Sequence, residues 1–210
     1  MNTRAPFLLI LVLFTALLLP LFTGCGGIRN DYAEKQIFRL SASPDAADLQ
    51  AQDKGSKLLV KGLDISPEFS GAAFVYRLGQ NRYAQDYYHN YMTPPARMIT
   101  DLVMENLYAS SYFSPASKSI MAETNYQLWG KITGLYCDIK DDKQAVAVIT
   151  IRLNLDKQTT GGSEPLLSQT YEAAIPMEKT SPDEYVKGLN QGLTHILNAF
   201  FTDVSRLDLT

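Results

Sequence analysis

Extended segments with alternating apolar and polar residues dominate the second half of the chain, as expected for a β-sheet with one buried face. Segment 145–156 is the clearest, because every second residue is apolar: Ala147, Ile149, Ile151, Leu153 and Leu155. Segment 126–139 comes before it, and the polar turn at 141–143 joins the two into a predicted antiparallel hairpin. A Gly-containing loop at 159–165 and a last strand at 166–175 follow.

The first half of the chain contains further candidate strands, of which segment 35–40 is the first. Segment 57–65 is apolar on nearly both faces, which favours a central strand over an edge strand. Segments 74–78 and 82–88 flank the turn at 79–81 and together predict a β-hairpin rich in tyrosine.

Two helices are predicted from apolar residues at helical spacing. The first opens at the Pro-Pro pair 94–95, because a proline in the first helical turn loses no hydrogen bond, and it ends near residues 110–111. The second opens at 181–184, where Ser-Pro-Asp-Glu combines an N-cap serine, a helix-starting proline and a capping-box glutamate. Its core-facing stripe is Val186, Leu189, Leu193, Ile196, Leu197, Phe200 and Val204.

These elements predict an α/β fold of the α+β type. One mixed, largely antiparallel β-sheet of about six strands would pack with two long α-helices. The order of the strands does not follow from the sequence, and the length fits one globular domain over residues 35–210.

The first residues have the order of a secretory signal: Arg4, an apolar run at 7–19, Pro20 and then small residues. A spanning helix needs about 20 apolar residues, so this run is too short to cross a bilayer. The residues that follow, Phe22-Thr23-Gly24-Cys25, resemble a bacterial lipobox, with Phe22 where leucine is usual. We therefore predict a lipoprotein signal peptide at 1–24, a covalent diacylglycerol and N-acyl lipid such as palmitate on Cys25, and a short tether at 25–34.

Composition and charge limit the classes of partner that the protein can bind. The formal net charge is −3, and removal of the signal with Arg4 would change it to about −4, without any clustered basic face. Nucleic-acid binding needs such a face, so nucleic acid is excluded as a partner. The chain has two cysteines, and lipidation of Cys25 would leave Cys137 without a disulfide partner, so the fold would depend on its core.

The sequence contains no motif that indicates catalysis, a cofactor or a metal. His195 lies between apolar helical positions and is predicted to be structural, and His89 has no acidic or thiol partner at motif spacing. Cys137 is predicted to be a small core residue on one strand face with Trp129, Leu135 and Ile139. We expect that the protein is not an enzyme and binds no cofactor.

Tyrosines crowd the first hairpin and the residues after it, and these form the candidate partner contact. The set is Tyr76, Arg77, Tyr83, Tyr87, Tyr88 and Tyr91. One interpretation is cross-strand packing, which tyrosines serve well. The other is a contact surface for a partner protein or a lipid, because an amphipathic ring tolerates both wet and apolar surroundings.

The residues also resemble a known family. After the lipobox come Leu63-Asp64-Ile65-Ser66-Pro67-Glu68, Phe74-Val75-Tyr76-Arg77, the hairpin, and the helix that ends in Leu107-Tyr108-Ala109-Ser110-Ser111-Tyr112-Phe113; Leu128-Trp129-Gly130-Lys131-Ile132 follows in the expected order. This looks like the ABC-type transport auxiliary lipoproteins, the PqiC-like family. Where the family commonly shows a tryptophan before the helix, this chain has Tyr91-Met92.

The resemblance implies a non-enzymatic partner of an MCE-type lipid transport system, which docks a periplasmic MCE protein at the outer membrane. The protein would act as an interaction module, as a single chain or as a ring-forming homo-oligomer, and would be anchored in the cell envelope through its lipid. Gly26 after Cys25 is consistent with the outer membrane, because the usual inner-membrane retention signal is an aspartate there. The alternatives are a lipid carrier that binds an acyl chain itself, and an outer-membrane assembly or pilot lipoprotein.

Overall fold

The computed structural model describes residues 34–44, 56–110, 112–115, 124–140 and 144–209. Within these ranges the chain forms nine strands and two helices. The strands are β1 (Gln36–Phe38), β2 (Lys57–Val60), β3 (Asp64–Ile65), β4 (Ala73–Arg77), β5 (Tyr83–Tyr91), β6 (Ser114–Pro115), β7 (Tyr126–Asp138), β8 (Val146–Thr159) and β9 (Gly162–Pro176). The helices are α1 (Pro95–Ala109) and α2 (Pro182–Ser205), and a short 3-10 helix spans Pro67–Phe69.

The sheet is built around β7. Along one edge β7 pairs antiparallel with β8, which pairs antiparallel with β9. Along the other edge it pairs parallel with β2, β3 and β4 in succession. β4 and β5 form an antiparallel hairpin, β1 pairs parallel with β5, and β6 pairs parallel with β2. The predicted α+β class with one mixed sheet is therefore confirmed, and its three longest pairings are antiparallel.

Both helices contribute to one hydrophobic core on one side of the sheet, which we call the inner face. The alternating β8 residues predicted from the sequence are fully buried there, as is the predicted stripe of α2. On the opposite or outer face, strands β8 and β9 carry polar side chains: Arg152 donates a hydrogen bond to the Ser168 hydroxyl (3.0 Å), which donates to Asn154 (2.7 Å). The alternation along β8 thus sets which face the helices cover.

Helix α2 begins as predicted, with one difference. The Ser181 hydroxyl accepts a hydrogen bond from the backbone N–H of Glu184 (3.3 Å), and Pro182 occupies the first turn. The second bond of a capping box is replaced, because the Ser181 N–H donates to the Lys179 carbonyl (3.0 Å) and the Glu184 carboxylate binds Lys187 (3.2 Å). One orphan N–H of the helix is satisfied by the cap.

The prediction of one continuous central strand over 57–65 is wrong, because the chain forms two short strands there, β2 and β3. Between them the N–H of Leu63 donates to the Thr100 hydroxyl of α1 (2.9 Å), so it is not available to the sheet. The N–H of Lys61 still donates to the Leu128 carbonyl of β7 (2.8 Å). A contact with the distant helix therefore interrupts a segment that the local pattern predicts as continuous.

The loop predicted at 159–165 is also wrong, because β8 and β9 are joined by a tight turn at 160–161. Gly162 has φ of 135°, a conformation that side chains rarely adopt, and this permits the short connection. Pro165 lies at a register shift opposite Asp156. A proline is tolerated there because, among the described strands, β9 pairs only with β8 and the bulge requires no N–H from it.

Cys137 is a fully buried core residue, as predicted, but it does not share a face with Trp129. The register between β7 and β8 shifts between Ile132 and Gly134, so one residue of β7 is extra and the inward alternation changes parity. Leu135 and Cys137 are buried beyond the bulge, whereas Trp129 before it lies on the outer face with 43% of its surface exposed. Its indole N–H donates to Asp156 (2.8 Å).

Candidate functional site

Two of the six candidate contact residues belong to the inner face, Tyr76 and Tyr91. Tyr91 is 4% exposed, its ring lies 4.7 Å from that of Phe74, and its hydroxyl is 3.1 Å from the hydroxyl of Tyr185 on α2. Burial raises the pKa of the Tyr91 hydroxyl, and burial likewise raises that of Tyr76. Tyr91 and the half-buried Tyr76 therefore serve packing, which was one of the two interpretations of the cluster.

Arg77 and Tyr83 lie opposite one another at the end of the β4–β5 hairpin and point to the outer face. Tyr136 of β7 joins them, with its ring 5.7 Å from the Tyr83 ring and 4.8 Å from the Arg77 guanidinium. Phe69, from the 3-10 helix, stacks on Tyr136 at 5.8 Å. We call these four residues, Phe69, Arg77, Tyr83 and Tyr136, the outer-face cluster.

The outer-face cluster is held in place by an ion pair. Arg77 donates a hydrogen bond to the Asp138 carboxylate, which also lies 3.8 Å from the Lys140 ammonium. The hydrogen bond from Arg77 lowers the pKa of the Asp138 carboxyl despite the opposing effect of burial, and the same bond raises the pKa of Arg77. Tyr83 remains 47% exposed, so the cluster presents an aromatic ring to solvent on a fixed base.

Tyr87 and Tyr88 lie in an irregular part of β5. The register places Val75 opposite Gln85 but Ala73 opposite Asn90, so the four residues 86–89 lie opposite the single residue Phe74. Strand neighbours normally point to opposite faces, yet both tyrosines are exposed (70% and 42%) and their rings contact at 5.1 Å. Neither of the two rings is therefore buried in the core, whereas a regular strand would place one of them on each face.

Asp86 shapes this bulge. Its carboxylate accepts hydrogen bonds from the backbone N–H groups of Tyr88 (2.7 Å) and His89 (3.1 Å), and it contacts Nδ1 of His89 at 2.7 Å. Burial would raise the pKa of Asp86, but the bonds from His89, from the two backbone groups and from Tyr76 outweigh it and lower the pKa. Hydrogen bonds to the Asp86 side chain here take the place of the backbone hydrogen bonds between strands.

His89 thus has an acidic partner, contrary to the sequence analysis. The Asp86 carboxylate three residues earlier reaches it only because the bulge folds the intervening residues back. The imidazole also lies between the rings of Phe38 (6.1 Å) and Phe74 (6.3 Å), so its role is structural. His195 differs from its prediction as well, because it is exposed on α2 and not packed in the core.

Four residues that contribute to the exposed surfaces of the β4–β5 hairpin and its neighbours are not among those predicted from the sequence. Tyr136 carries a usable signal, because it alternates with Cys137 in a predicted strand and so points away from the core. Lys35, whose ammonium lies 4.4 Å from the centre of the Tyr87 ring, and Ile37 depend on the pairing of β1 with β5, which no local pattern reveals. Phe69 depends on the path of the 3-10 helix.

Comparison with known proteins identifies the family. The model of the ABC-type transport auxiliary lipoprotein component matches residues 38–199. The chain belongs to this family. No curated protein matches the chain.

Solved structures share the fold of this auxiliary lipoprotein. Protein XCC0632 from Xanthomonas campestris, of the family DUF330, has a TM-score of 0.69 at 15% identity and covers 81% of this chain and 98% of its own. An uncharacterized protein has a TM-score of 0.64 at 16% identity, with coverages of 81% and 99%. The hypothetical protein CT253 from Chlamydia trachomatis has a TM-score of 0.51 at 9% identity, with coverages of 71% and 98%. At these identities the likeness concerns the fold alone.

As a member of the auxiliary lipoprotein family, the protein is an accessory component of ABC-type transport and is associated with the cell envelope. The predicted signal peptide and Cys25 lie outside the described residues. Among the residues that the structure does describe, no helix is long and apolar enough to span a membrane. The same residues contain no group of three His, Cys, Asp or Glu side chains placed to hold a metal ion.

Cys137 and a surface groove beside α1 are two further features of the described fold that could serve as sites. Burial raises the pKa of the Cys137 thiol to about 12, and its sulfur lies 3.6 Å from that of Met177, so the thiolate that would act as a nucleophile is disfavoured. A groove of about 480 Å³ separates residues 39–43 from α1. Its lining mixes charged residues, Arg39 and Glu105, with apolar residues such as Leu40 and Leu102, so it is less apolar than the pockets that usually enclose an apolar ligand.

Proposed function

We propose that the protein is a non-enzymatic lipoprotein of an MCE-type lipid transport system that docks the periplasmic conduit at the outer membrane. The observation that carries this proposal is the match of the auxiliary lipoprotein family over residues 38–199, which covers most of the described fold. An MCE-type periplasmic protein is the partner that the resemblance implies. An anchor at Cys25 would hold the domain at the membrane where that partner arrives.

The outer-face cluster is the surface that we propose for the protein partner. Tyrosine and arginine are enriched among the residues that dominate binding energy at interfaces. Tyr83 presents an exposed ring whose position is fixed by Tyr136, Phe69 and the Arg77–Asp138 pair, so little conformational entropy would be lost on binding. Because the lining of the groove beside α1 is only partly apolar, we favour this docking role over the alternative role of a lipid carrier.

Crosslinking in intact envelopes tests the partner. Crosslinked protein purified under denaturing conditions should carry an MCE-type protein, and repeated failure to recover one would overturn the proposal. Native mass spectrometry of the Cys25→Ala protein tests the carrier: reproducible co-purification of one phospholipid per chain would favour it. Recovery of outer-membrane assembly or secretion proteins in place of an MCE protein would favour the pilot alternative.

The anchor is tested by Cys25→Ala. We expect the variant to fold but to be soluble after fractionation, because lipidation would be lost. The unchanged chain, fractionated in parallel, should stay with the membrane. If the variant is still recovered with the membrane after a high-salt wash, another anchor exists and the assignment of Cys25 is wrong.

A further inference from the structure

A second exposed apolar group lies at the edge of the sheet, away from the outer-face cluster. Tyr87 is 70% exposed and Ile37 is 64% exposed, and Tyr88 contacts the Tyr87 ring. Lys35 lies over Tyr87, and Ile37 follows Lys35 by two residues, so the two side chains leave the chain on the same side. We call Lys35, Ile37, Tyr87 and Tyr88 the edge knob.

The fold holds the edge knob outward. Asp86 accepts the backbone N–H groups of Tyr88 and His89, which fixes the bulge that carries both tyrosines. Pairing of Gln36 with His89 and Ile37 with Asn90 attaches β1 to the same part of β5. Two tyrosines and an isoleucine are exposed to water at one place, which is unfavourable because their apolar surface is not buried by packing within the domain. Such a group of exposed apolar side chains indicates a contact surface.

The position of the edge knob along the chain indicates what covers it. Lys35 follows Cys25 by ten residues, and ten residues reach at most roughly 33–36 Å when fully extended. A lipid on Cys25 would therefore keep the edge knob within that distance of the bilayer surface. No other exposed apolar residue of the described fold lies so near to Cys25 in the chain.

The chemistry of the edge knob suits the interfacial region of a bilayer. Tyrosine rings are enriched at the level of the lipid headgroups, and a lysine over such a ring can extend its ammonium towards phosphate. The exposed Glu34 lies next to Lys35, and the whole chain is acidic, so net electrostatic attraction to anionic lipid is weak. Contact would come from apolar and aromatic side chains.

We propose that the edge knob rests in the headgroup region of the bilayer to which Cys25 is anchored, and so fixes the orientation of the domain relative to that bilayer. This inference rests on the proposed lipid anchor. The lipid supplies the attachment, and the edge knob limits the rotation of the domain about its tether. High salt should leave the contact unchanged.

Tryptophan fluorescence in lipid vesicles tests the inference. The mature lipidated protein is reconstituted into vesicles of phosphatidylethanolamine and phosphatidylglycerol, with or without lipids brominated in the upper part of their acyl chains. Tyr87→Trp and Ile37→Trp are each introduced together with Trp129→Phe, so that each protein has one tryptophan. The chain with its native Trp129, on the outer face, is the matched control.

The emission of Trp at position 87 or 37 should fall by about half or more in brominated vesicles, because interfacial side chains enter roughly 5–10 Å into the headgroup and acyl boundary. The emission of Trp129 should change little. Proteins that float with the vesicles but show no more quenching at 37 and 87 than at 129 would overturn the inference alone. Proteins that do not float would overturn the anchor at Cys25 and this inference with it. If the emission at positions 37 and 87 is not quenched in vesicles but shifts to the blue when an MCE protein is added, the edge knob binds the protein partner and not the lipid.

Discussion

At the scale of single residues, the Arg77–Asp138 pair decides how the outer-face cluster is presented. The guanidinium donates to the carboxylate and at the same time lies over the Tyr136 ring, which packs against Tyr83. Both charged side chains are mostly buried, with 21% and 12% of their surfaces exposed. Loss of one partner would leave the other charge poorly solvated, which is costlier than removal of both.

We expect Arg77→Met to lower the free energy of unfolding by about 2 kcal/mol at neutral pH. The pKa of Asp138 is lowered in the folded state, so its stabilising effect is complete above the unfolded pKa of about 3.9 and is lost as the pH falls through the folded value. The difference in stability between variant and parent should therefore shrink below about pH 4. Urea unfolding at several pH values measures it.

Lys140→Met is the control for this change. Lys140 also approaches Asp138, at 3.8 Å, but its side chain is 39% exposed, so solvent screens the interaction and little stability should be lost. An Arg77→Met difference that stays constant from neutral to acid pH would show that packing on Tyr136, and not the ion pair, accounts for the loss.

At the scale of elements, the sequence predicts those parts whose pattern is local. The alternation of β8, the Pro-Pro opening of α1 and the Ser181 cap of α2 each depend on neighbouring residues, and all three are confirmed. The break between β2 and β3 depends on Thr100 in a distant helix. Pattern alone could not predict it.

The candidate contact residues show the same limit. The hairpin of β4 and β5 was predicted, but the bulge at 86–89 arises from hydrogen bonds to Asp86, and the bulge of β7 from its register with β8. A bulge changes which residues face outward from that point on. The sequence therefore located the tyrosines in the correct hairpin but could not separate Tyr91 in the core from Tyr87 at the surface.

The packing of α2 on the sheet depends on a close approach at Gly188. A Cβ atom there would lie 2.6 Å from the Cβ of Ala147, which is bonded directly to the Cα of β8 and cannot rotate away. Alanine should gain up to about 1 kcal/mol of helix propensity, but displacement of the helix costs about 1–3 kcal/mol. We expect Gly188→Ala to lower the melting temperature.

Gln191→Ala, at an exposed position of the same helix, is the control, and its melting temperature should stay within a degree or two of the parent on the scale of surface substitutions of about 0.5 kcal/mol. Thermal unfolding followed by circular dichroism compares the two variants. A Gly188→Ala protein as stable as its parent would show that α2 can move away from β8 without loss.

At the scale of the whole molecule, the exposed aromatic residues of β5 form two groups with different neighbours. Tyr83 belongs to a cluster fixed by an ion pair on the outer face, whereas Tyr87 belongs to the edge knob beside β1. One strand thus offers two separate contacts. If the outer-face cluster binds the protein partner and the edge knob rests on lipid, changes at the two ends of β5 should have separable effects.

We expect Tyr83→Ala to weaken association with the MCE-type partner by about tenfold or more, because truncation of an interface tyrosine commonly costs about 2 kcal/mol of binding. Its folding should be affected little, by about 1 kcal/mol, since Tyr83 is 47% exposed and loses its ring contacts with Tyr136 and Phe69 and its side-chain hydrogen bond with Arg77. Binding is measured with the purified partner, and stability by thermal unfolding of the same preparation.

Two further variants of β5 make this result interpretable. Tyr87→Ala should keep both its melting temperature and its association with the partner in the absence of membranes, because the edge knob is assigned to lipid. Tyr91→Ala should unfold more easily by about 3–5 kcal/mol, as expected when a buried aromatic side chain is truncated. If Tyr87→Ala abolishes the association and Tyr83→Ala does not, the protein-binding surface lies at the edge knob, and the assignments of the two groups must be exchanged.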